Sequence, residues 1–490
     1  MVLPVENPTK SYWIEAAHSP LRDFQSTPDL PTEADVVIVG SGYTGATAAY
    51  WIHKYTQNAE TKPRVVMLEA GEICGRATGR NGGQLRPHAY SRYPIWKERF
   101  GSDGAMELIR HEMAHLDAFK ELADEEDIAK EVCLAFGETF DAAMTEEALA
   151  RLFAAYKQMK LDRGIDDPVV RVCRKIDDPK EAEDFSQMKG ALGAIVHPTG
   201  QIWPYKFVHA LLRIILDTGI LNLQAHTPVQ TISEQDVDGF VTVQTDRGSI
   251  KTRAVVHATN RWASHLLPEF QKCIVPSRAS LAAIKAPEYF IKHTGSQHFD
   301  AAINNYHLQI PPPFNTIILG GVRKVLCQHP EECYNNDKDD KYFPGVVEYC
   351  ETWARRDILD WPQNESGELA LPATEGGCWT GTYGTSTDSF PFVGPVPNRA
   401  GHFVAAGFNG HGMPRILLST AHIVPLVLES LGQEHTAPKL VENYPPLPGP
   451  FHATAERIET LAKTVDLEAK AHAYCKQCEE SAQKEFCQKW

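Results

Sequence analysis

The chain has 490 residues, 43% of them hydrophobic, and 63 acidic against 48 basic side chains leave a net charge of -15 at pH 7. That length builds two or three domains with full-sized cores, and the acidic balance argues against nucleic-acid binding, which calls for a basic stripe or patch. No apolar run approaches the ~20 residues needed to span a bilayer, and the eleven cysteines, without a short repeating spacing, read as reduced thiols rather than a disulfide framework.

Residues 1–34, punctuated by Pro20, Pro28 and Pro31, are expected to wrap the outside of the first domain, with Trp13 as an anchor. The start, MVLPVENPTKSYWIEAAHSP, lacks a signal-peptide pattern and the C-terminal CQKW is no peroxisomal signal, so the expected address is the cytosol. Asp35 to Val39 is a short Val/Ile run suited to a strand buried on both faces. Gly40, Gly42 and Gly45 follow as G-x-G-x-x-G, and a helix opens at Tyr43. Arg64 to Leu68 is a second Val-rich strand, ending on Glu69. Gly40 permits the tight turn, Gly42 lets backbone N–H groups approach a pyrophosphate, and Gly45 lets helix and strand pack closely. Glu69 suits a ribose 2′-OH and would repel a 2′-phosphate. This strand–turn–helix–strand–acid unit predicts an adenine dinucleotide.

The loop of residues 70–90 carries Gly79, Gly82 and Gly83 beside Arg80 and Asn81, a composition that brings backbone close to a flat or anionic ligand. Apolar spacing predicts a helix from Gly104 to about Asp127. Inside it, His111-Glu112-Met113-Ala114-His115 matches H-E-x-x-H, a zinc-protease pattern. Nothing completes that site, and we read it as a chance match on an amphipathic helix, with no metal expected. A second helix is predicted from Thr145 to about Asp162. Ala191 to Phe207 reads as an apolar stretch broken by a Pro-Thr-Gly turn, leading into a helix over Val208 to Leu216. Val229 to Ile232, Phe240 to Thr245 and Ser249 to Thr252 predict an antiparallel meander that feeds a strand, Ala254 to Thr259, ending on Asn260. Residues 276–370 differ in character, with β runs at Leu281 to Ile284 and Thr316 to Leu319, a turn at Gly320-Gly321, then Arg323 and Lys324. Cys378 to Gly432 holds the strand His402 to Ala406, a second Gly-rich loop at Gly407, Gly410 and Gly412, and a helix with Pro414 near its first turn. Residues 451–490 read as a charged helical tail whose Cys475-x-x-Cys478 is incidental.

Taken together, Gly40 to Gly45, Glu69, Arg80-Asn81-Gly82-Gly83-Gln84, Ala258-Thr259-Asn260, Gly320-Gly321 and Gly407-Phe408-Asn409-Gly410-His411-Gly412-Met413 resemble the D-amino-acid oxidase (DAO) family of FAD-dependent oxidoreductases. The likeness is nearest to its glycine oxidase, sarcosine oxidase and γ-glutamylputrescine oxidase branch. The resemblance implies a mixed α/β fold. A Rossmann-like FAD-binding domain with a parallel sheet (residues 1–100, 190–272 and 373–450) is expected to interleave with a substrate domain built on a mainly antiparallel sheet plus helices (101–189 and 273–372). It assigns the FAD to Gly40, Gly42, Tyr43, Thr44, Gly45, Glu69, Ala70, Arg76, Thr78, Arg80, Asn81, Gly82, Gly83, Gln84, Val229, Ala258, Thr259, Asn260, Trp262, Gly410, His411, Gly412 and Met413. Non-covalent flavin is the expectation and a tether through Cys378 the alternative. Lys324, Gln84 and His411 are the expected catalytic residues, Lys324 as the cation that promotes the O2 reaction.

The substrate is expected to meet Arg86, His88, Tyr306, Trp379 and Tyr383. Pro87 stands where the family's carboxylate-gripping arginine would be, which opens the way to an amine lacking that group. The implied activity is oxidation of a C–N bond in a small amine or amino acid, with O2 as acceptor and an imine and peroxide as products. A flavin dehydrogenase or biosynthetic oxidase of a larger nitrogen-containing metabolite, and a flavin-binding scaffold without turnover, are the alternatives.

Overall fold

The structure, a computed structural model, describes residues 3–287, 290–484 and 487, so 488–490 of the C-terminal CQKW lie outside the described residues. Val36–Val39 lies inside a six-stranded sheet, because four consecutive β-branched residues are buried on both faces. Val65–Leu68 pairs with it on one side and Ala254–His257 on the other, both parallel. Leu221–Gln224 extends the sheet beyond the first neighbour, and His402–Ala406 beyond the second, with Phe392–Pro395 as an antiparallel edge. The chain therefore turns in opposite directions on the two sides of Val36–Val39, which opens a crevice at the carboxyl ends of these strands.

Helix Tyr43–Thr56 starts directly at Gly42 and is buried along nearly its whole length. It packs between helices Pro204–Asp217 and Ile416–Ser430. Trp51 Nε1 donates to the Leu417 carbonyl at 2.8 Å and Tyr55 Oη to the Ala421 carbonyl at 3.1 Å, so the early helix is bolted to the late one. Val229–Ile232, Val241–Thr245 and Gly248–Thr252 form the expected three-stranded meander.

A second, mainly antiparallel sheet runs in the order Cys378–Ser386, Ile274–Lys285, Thr316–Gly320, Asn304–Gln309, Thr294–His298, Ala135–Ala143, Gly193–Gln201, with Gln84–Leu85 and Arg174–Ile176 on the last edge. One face carries its own core, where Ile317 and Leu319 meet Tyr349 and Trp353 of helix Val346–Asp357. The fold is thus mixed α/β, with a parallel sheet beside an antiparallel one. Among the described residues no helix is long and apolar enough to cross a membrane.

Two local expectations need correction. The Pro198-Thr199-Gly200 turn is absent, and a single strand, Gly193–Gln201, runs through it paired to Ala135–Ala143. On the other side of that strand Arg174–Ile176 covers 194–196 and Gln84–Leu85 covers 200–201, so Pro198 falls in the gap where no N–H is needed. The helix predicted from Gly104 begins earlier, as Tyr93–Glu125, with a break at Gly101 where φ is +73°. The C-terminal segment is folded onto the molecule: helix Leu467–Ala482 packs beside Pro330–Glu332.

Candidate active site

A cavity of about 530 Å³ opens at the carboxyl ends of the parallel strands, within the size range of ligand sites. Val39 and Gly40, Leu68 and Glu69, and Ala258 and Thr259 line it as they leave their strands. Gly40 has φ +105°, and a Cβ there would lie 2.8 Å from the Ala258 carbonyl oxygen. A Cβ on Gly45 would lie 1.9 Å from the Gly40 carbonyl oxygen, so this glycine holds helix against strand without lining the cavity. Gly42 has ordinary φ, and a Cβ there would meet only Thr78 Oγ1, at 3.2 Å. Its bare backbone leaves room for a ligand rather than for the protein. Tyr43 N donates to Thr78 Oγ1 at 3.0 Å, which ties the helix start to the following loop. The Glu69 carboxylate accepts from Ser41 N at 3.0 Å, Ser41 Oγ at 2.7 Å and Gly71 N at 3.2 Å.

The loop after Glu69 adds Ala70, Arg76, Thr78, Arg80, Asn81 and Gly82 to the lining. Trp13 Nε1 donates to the Asn81 carbonyl at 2.6 Å, Ser11 Oγ to the Gly79 carbonyl at 2.7 Å, and Arg76 Nη2 to the Val5 carbonyl at 2.6 Å. The N-terminal segment therefore pins this loop. Val229 and Trp262 contribute from the meander side, and Gly410, Gly412 and Met413 from the second glycine loop. Asn260, with φ +45°, accepts from Gly407 N at 3.0 Å and so links that loop to the Ala254–His257 strand. From the antiparallel sheet come Tyr306, Gly381, Thr382 and Tyr383, together with Arg323 and, from the C-terminal helix, Gln477.

Several expected site residues are not brought to the cavity. Lys324 is buried with its Nζ 3.8 Å from the centre of the Phe299 ring, and burial pushes its ammonium down. The neighbouring Arg323 lines the cavity instead. Gln84 Nε2 donates to the His307 carbonyl at 2.9 Å, and Trp379 Nε1 to the Arg80 carbonyl at 2.9 Å, each serving as a strut between strand and loop. Gly83 needs its φ of +75° to turn the loop and stays off the wall. Arg86 is paired with the buried Asp141 at 2.6 Å, an acid that also binds His298 at 2.5 Å and Tyr90 Oη at 2.7 Å. Burial opposes ionisation of Asp141, but Arg86 and His298 hold its carboxyl well below the usual range. Cys378 is buried in the core of the antiparallel sheet, hydrogen-bonded with Cys350, and the geometry offers no flavin tether through it.

His411 and His88 stack on each other with ring centres 3.8 Å apart, off the cavity wall. His411 Nε2 lies 3.0 Å from the Glu112 carboxylate, which also receives Arg415 at 2.7 Å and His88 N at 2.7 Å. Burial works against a charged Glu112, yet His411 and Arg415 keep its carboxyl well below the usual range. The H-E-x-x-H motif thus has structural work: Glu112 holds the second glycine loop, and His115 donates from Nδ1 to the His111 carbonyl while Nε2 accepts from Leu418 N at 3.2 Å.

The cavity suits a flavin adenine dinucleotide. Its glycine-lined turn leaves bare backbone, Glu69 stands at a strand end, and three lining polar atoms, Thr259 Oγ1, Trp262 Nε1 and Thr382 Oγ1, are buried without a protein partner. Such groups call for a bound polar ligand or ordered water. Sequence reasoning missed Arg323, Asn304, Thr382 and Gln477; Arg323 had a signal, since it precedes Lys324 after the Gly-Gly turn, whereas Gln477 had none.

The model of the DAO family, FAD-dependent oxidoreductases, matches residues 35–421. A probable oxidoreductase OrdL of Haemophilus influenzae is 22% identical over 261 residues, 52% of this chain and 54% of that protein. The γ-glutamylputrescine oxidoreductase of Escherichia coli is 38% identical over 101 residues, 20% of this chain and 22% of that protein. The chain spans about half the length, or less, of the curated relatives it matches. Among solved structures, glycine oxidase from Geobacillus kaustophilus superimposes with a TM-score of 0.64 at 22% identity, over 86% of this chain and 99% of that one. L-amino acid deaminase from Proteus myxofaciens, in complex with anthranilate, gives 0.62 at 16% identity over 93% and 99%. These two share the fold with this chain.

Proposed function

The chain belongs to the DAO family of FAD-dependent oxidoreductases, and on that premise we propose that it oxidises the C–N bond of an amino acid or amino-acid-like amine, with O2 as acceptor and peroxide as product. The observation that carries the substrate class is Arg323. It lines the cavity beside Tyr306 and Tyr383, and its guanidinium meets the Ala302 carbonyl at 3.2 Å and Cys478 Sγ at 3.7 Å rather than a carboxylate. A guanidinium in a half-apolar cavity is suited to the carboxylate of a substrate. Arg86, the other candidate, is already neutralised by Asp141.

FAD, when bound, accepts the hydride and carries the electrons. The protein's part is orientation: Arg323 holds the anionic end, and the half-buried Tyr306 and Tyr383 rings on the cavity wall, their hydroxyls pushed up by burial, bracket the amine-bearing carbon. Bleaching of the flavin absorbance under anaerobic conditions, with a panel of amino acids and the corresponding decarboxylated amines, tests this reading. Faster bleaching by the amino acids is expected; bleaching by the amines alone would overturn the carboxylate assignment.

A second reading, electron delivery to an acceptor other than O2, has one observation in its favour: Lys324, the cation expected to help O2, sits against Phe299 and away from the cavity. Turnover with an artificial electron acceptor but without peroxide would select it.

A further inference from the structure

We propose that Cys478 and Cys327 form a peroxide-reactive thiol pair that fastens the C-terminal helix to the cavity wall. Helix Leu467–Ala482 lies beyond the residues matched by the family model, yet it reaches the site: Gln477 lines the cavity and Cys478 follows it. Cys478 is 1% exposed and accepts a hydrogen bond from the Cys327 thiol, Sγ to Sγ 2.7 Å. Cys327 ends the short helix Arg323–Leu326, whose Arg323 and Leu326 also line the cavity. Two segments 151 residues apart therefore meet at two sulfurs directly behind the wall.

The surroundings make the two sulfurs unequal. Arg323 Nη2 lies 3.7 Å from Cys478 Sγ, and a guanidinium at that position favours thiolate over thiol. The bond from Cys327 lowers the Cys478 thiol, aided by the Arg323 charge and opposed by burial, while the same bond and burial raise that of Cys327 against the Arg323 charge. Cys478 is accordingly the nucleophile and Cys327 the resolving thiol. The Cys478 thiolate attacks hydrogen peroxide, an S–O bond forms as O–O breaks, and hydroxide leaves. The Cys327 thiol then attacks the sulfenic sulfur, S–S forms, and water leaves. Two thiols are oxidised to one disulfide and one peroxide is reduced to two waters. Peroxide is the oxidant, and added peroxide serves as well as any made by turnover. The inference thus does not depend on the proposed oxidase activity.

The bond would lock Gln477 and Arg323 into one wall. Tyr474, one turn before Cys478, stacks on Tyr334 at 5.9 Å, and Lys484 meets Asp300 at 2.9 Å and Glu147 at 2.8 Å, so the helix is already seated in register for it.

The test treats the full-length holoenzyme with stoichiometric hydrogen peroxide, alkylates the remaining thiols, and maps peptides without reduction. A Cys327–Cys478 linked peptide, two hydrogens lighter and reversed by dithiothreitol, is expected. In C327S, dimedone is expected to trap a sulfenic acid on Cys478, and in C478S Cys327 is expected to stay alkylatable. Circular dichroism and flavin content of both variants establish that they fold. Full alkylation of both thiols after peroxide, a link from Cys478 to Cys333, Cys475 or Cys487, or trapping on Cys327 instead of Cys478 would each overturn the proposal.

Discussion

Arg323 and Lys324 are adjacent cations with opposite fates. One lines the cavity and the other packs its ammonium on Phe299. A charge-assisted contact contributes about 1.5–3 kcal/mol, so Arg323→Met is expected to raise KM for carboxylate-bearing substrates by about 10- to 100-fold while a decarboxylated amine is barely affected. Lys324→Met is expected to leave flavin reoxidation by O2 unchanged in stopped flow; a slowed reaction would return that lysine to the site. Gly42 offers a cleaner separation of ligand from fold. A methyl group there meets only Thr78 Oγ1, at 3.2 Å, so Gly42→Ala is expected to unfold at the parent's temperature as apoprotein. Its FAD binding is expected to weaken by about tenfold or more, the equivalent of ~1.4 kcal/mol. Equal loss of apoprotein stability would place that glycine in the packing instead.

Helix Tyr93–Glu125 shows how one buried acid connects distant elements. Glu112 gathers the His88 backbone, His411 and Arg415, and through them ties this helix to the second glycine loop and the start of Ile416–Ser430. Removing its charge leaves the Arg415 guanidinium, 3% exposed, without an anion, which costs about 3–5 kcal/mol. Glu112→Gln is therefore expected to lower the thermal midpoint of the holoenzyme markedly and to loosen flavin retention by freeing Gly410 to Met413. An unchanged midpoint in calorimetry would contradict the tie. The strand Gly193–Gln201 makes a related point. Its Pro-Thr-Gly run is a turn by local preference, and a strand only because two short partners leave a gap opposite the proline.

Across the whole molecule, buried histidines set the acid limit of stability. Burial holds His115, His197 and His209 down to about 4 and His307 to about 3. Their folded-state values lie below the ordinary ~6.5, so the stability they contribute is complete above that pH. It is lost as pH falls, because only the unfolded chain takes up their protons. Each contributes a slope of about 1.4 kcal/mol per pH unit within that window. Thermal midpoints are expected to fall steadily from pH 6.5 towards 4, before the depressed carboxyls of Asp141 and Glu112 titrate. A midpoint flat across that interval would refute the account.

The dinucleotide half of the cavity was legible in residues 35–69 because its determinants are contiguous: one buried strand, three glycines, one helix start and one acid at the next strand end. Such a unit folds by local rules, and its chemistry follows from spacing. The meander was legible for the same reason, from alternation and Asp-Gly or Arg-Gly turns. The substrate half was not. Whether Arg323 or Lys324 faces inward depends on Phe299, Ala302 and Cys478, which approach from other parts of the chain. The role of Glu112 depends on Arg415, 303 residues later. The arrival of Gln477 at the cavity depends on how a C-terminal helix seats against Pro330–Glu332. Backbone chemistry and period are properties of neighbouring residues, so the sequence alone carried the cofactor and the fold class. The direction of a side chain is decided by what packs against it, and that became visible only when the distant segments were brought together.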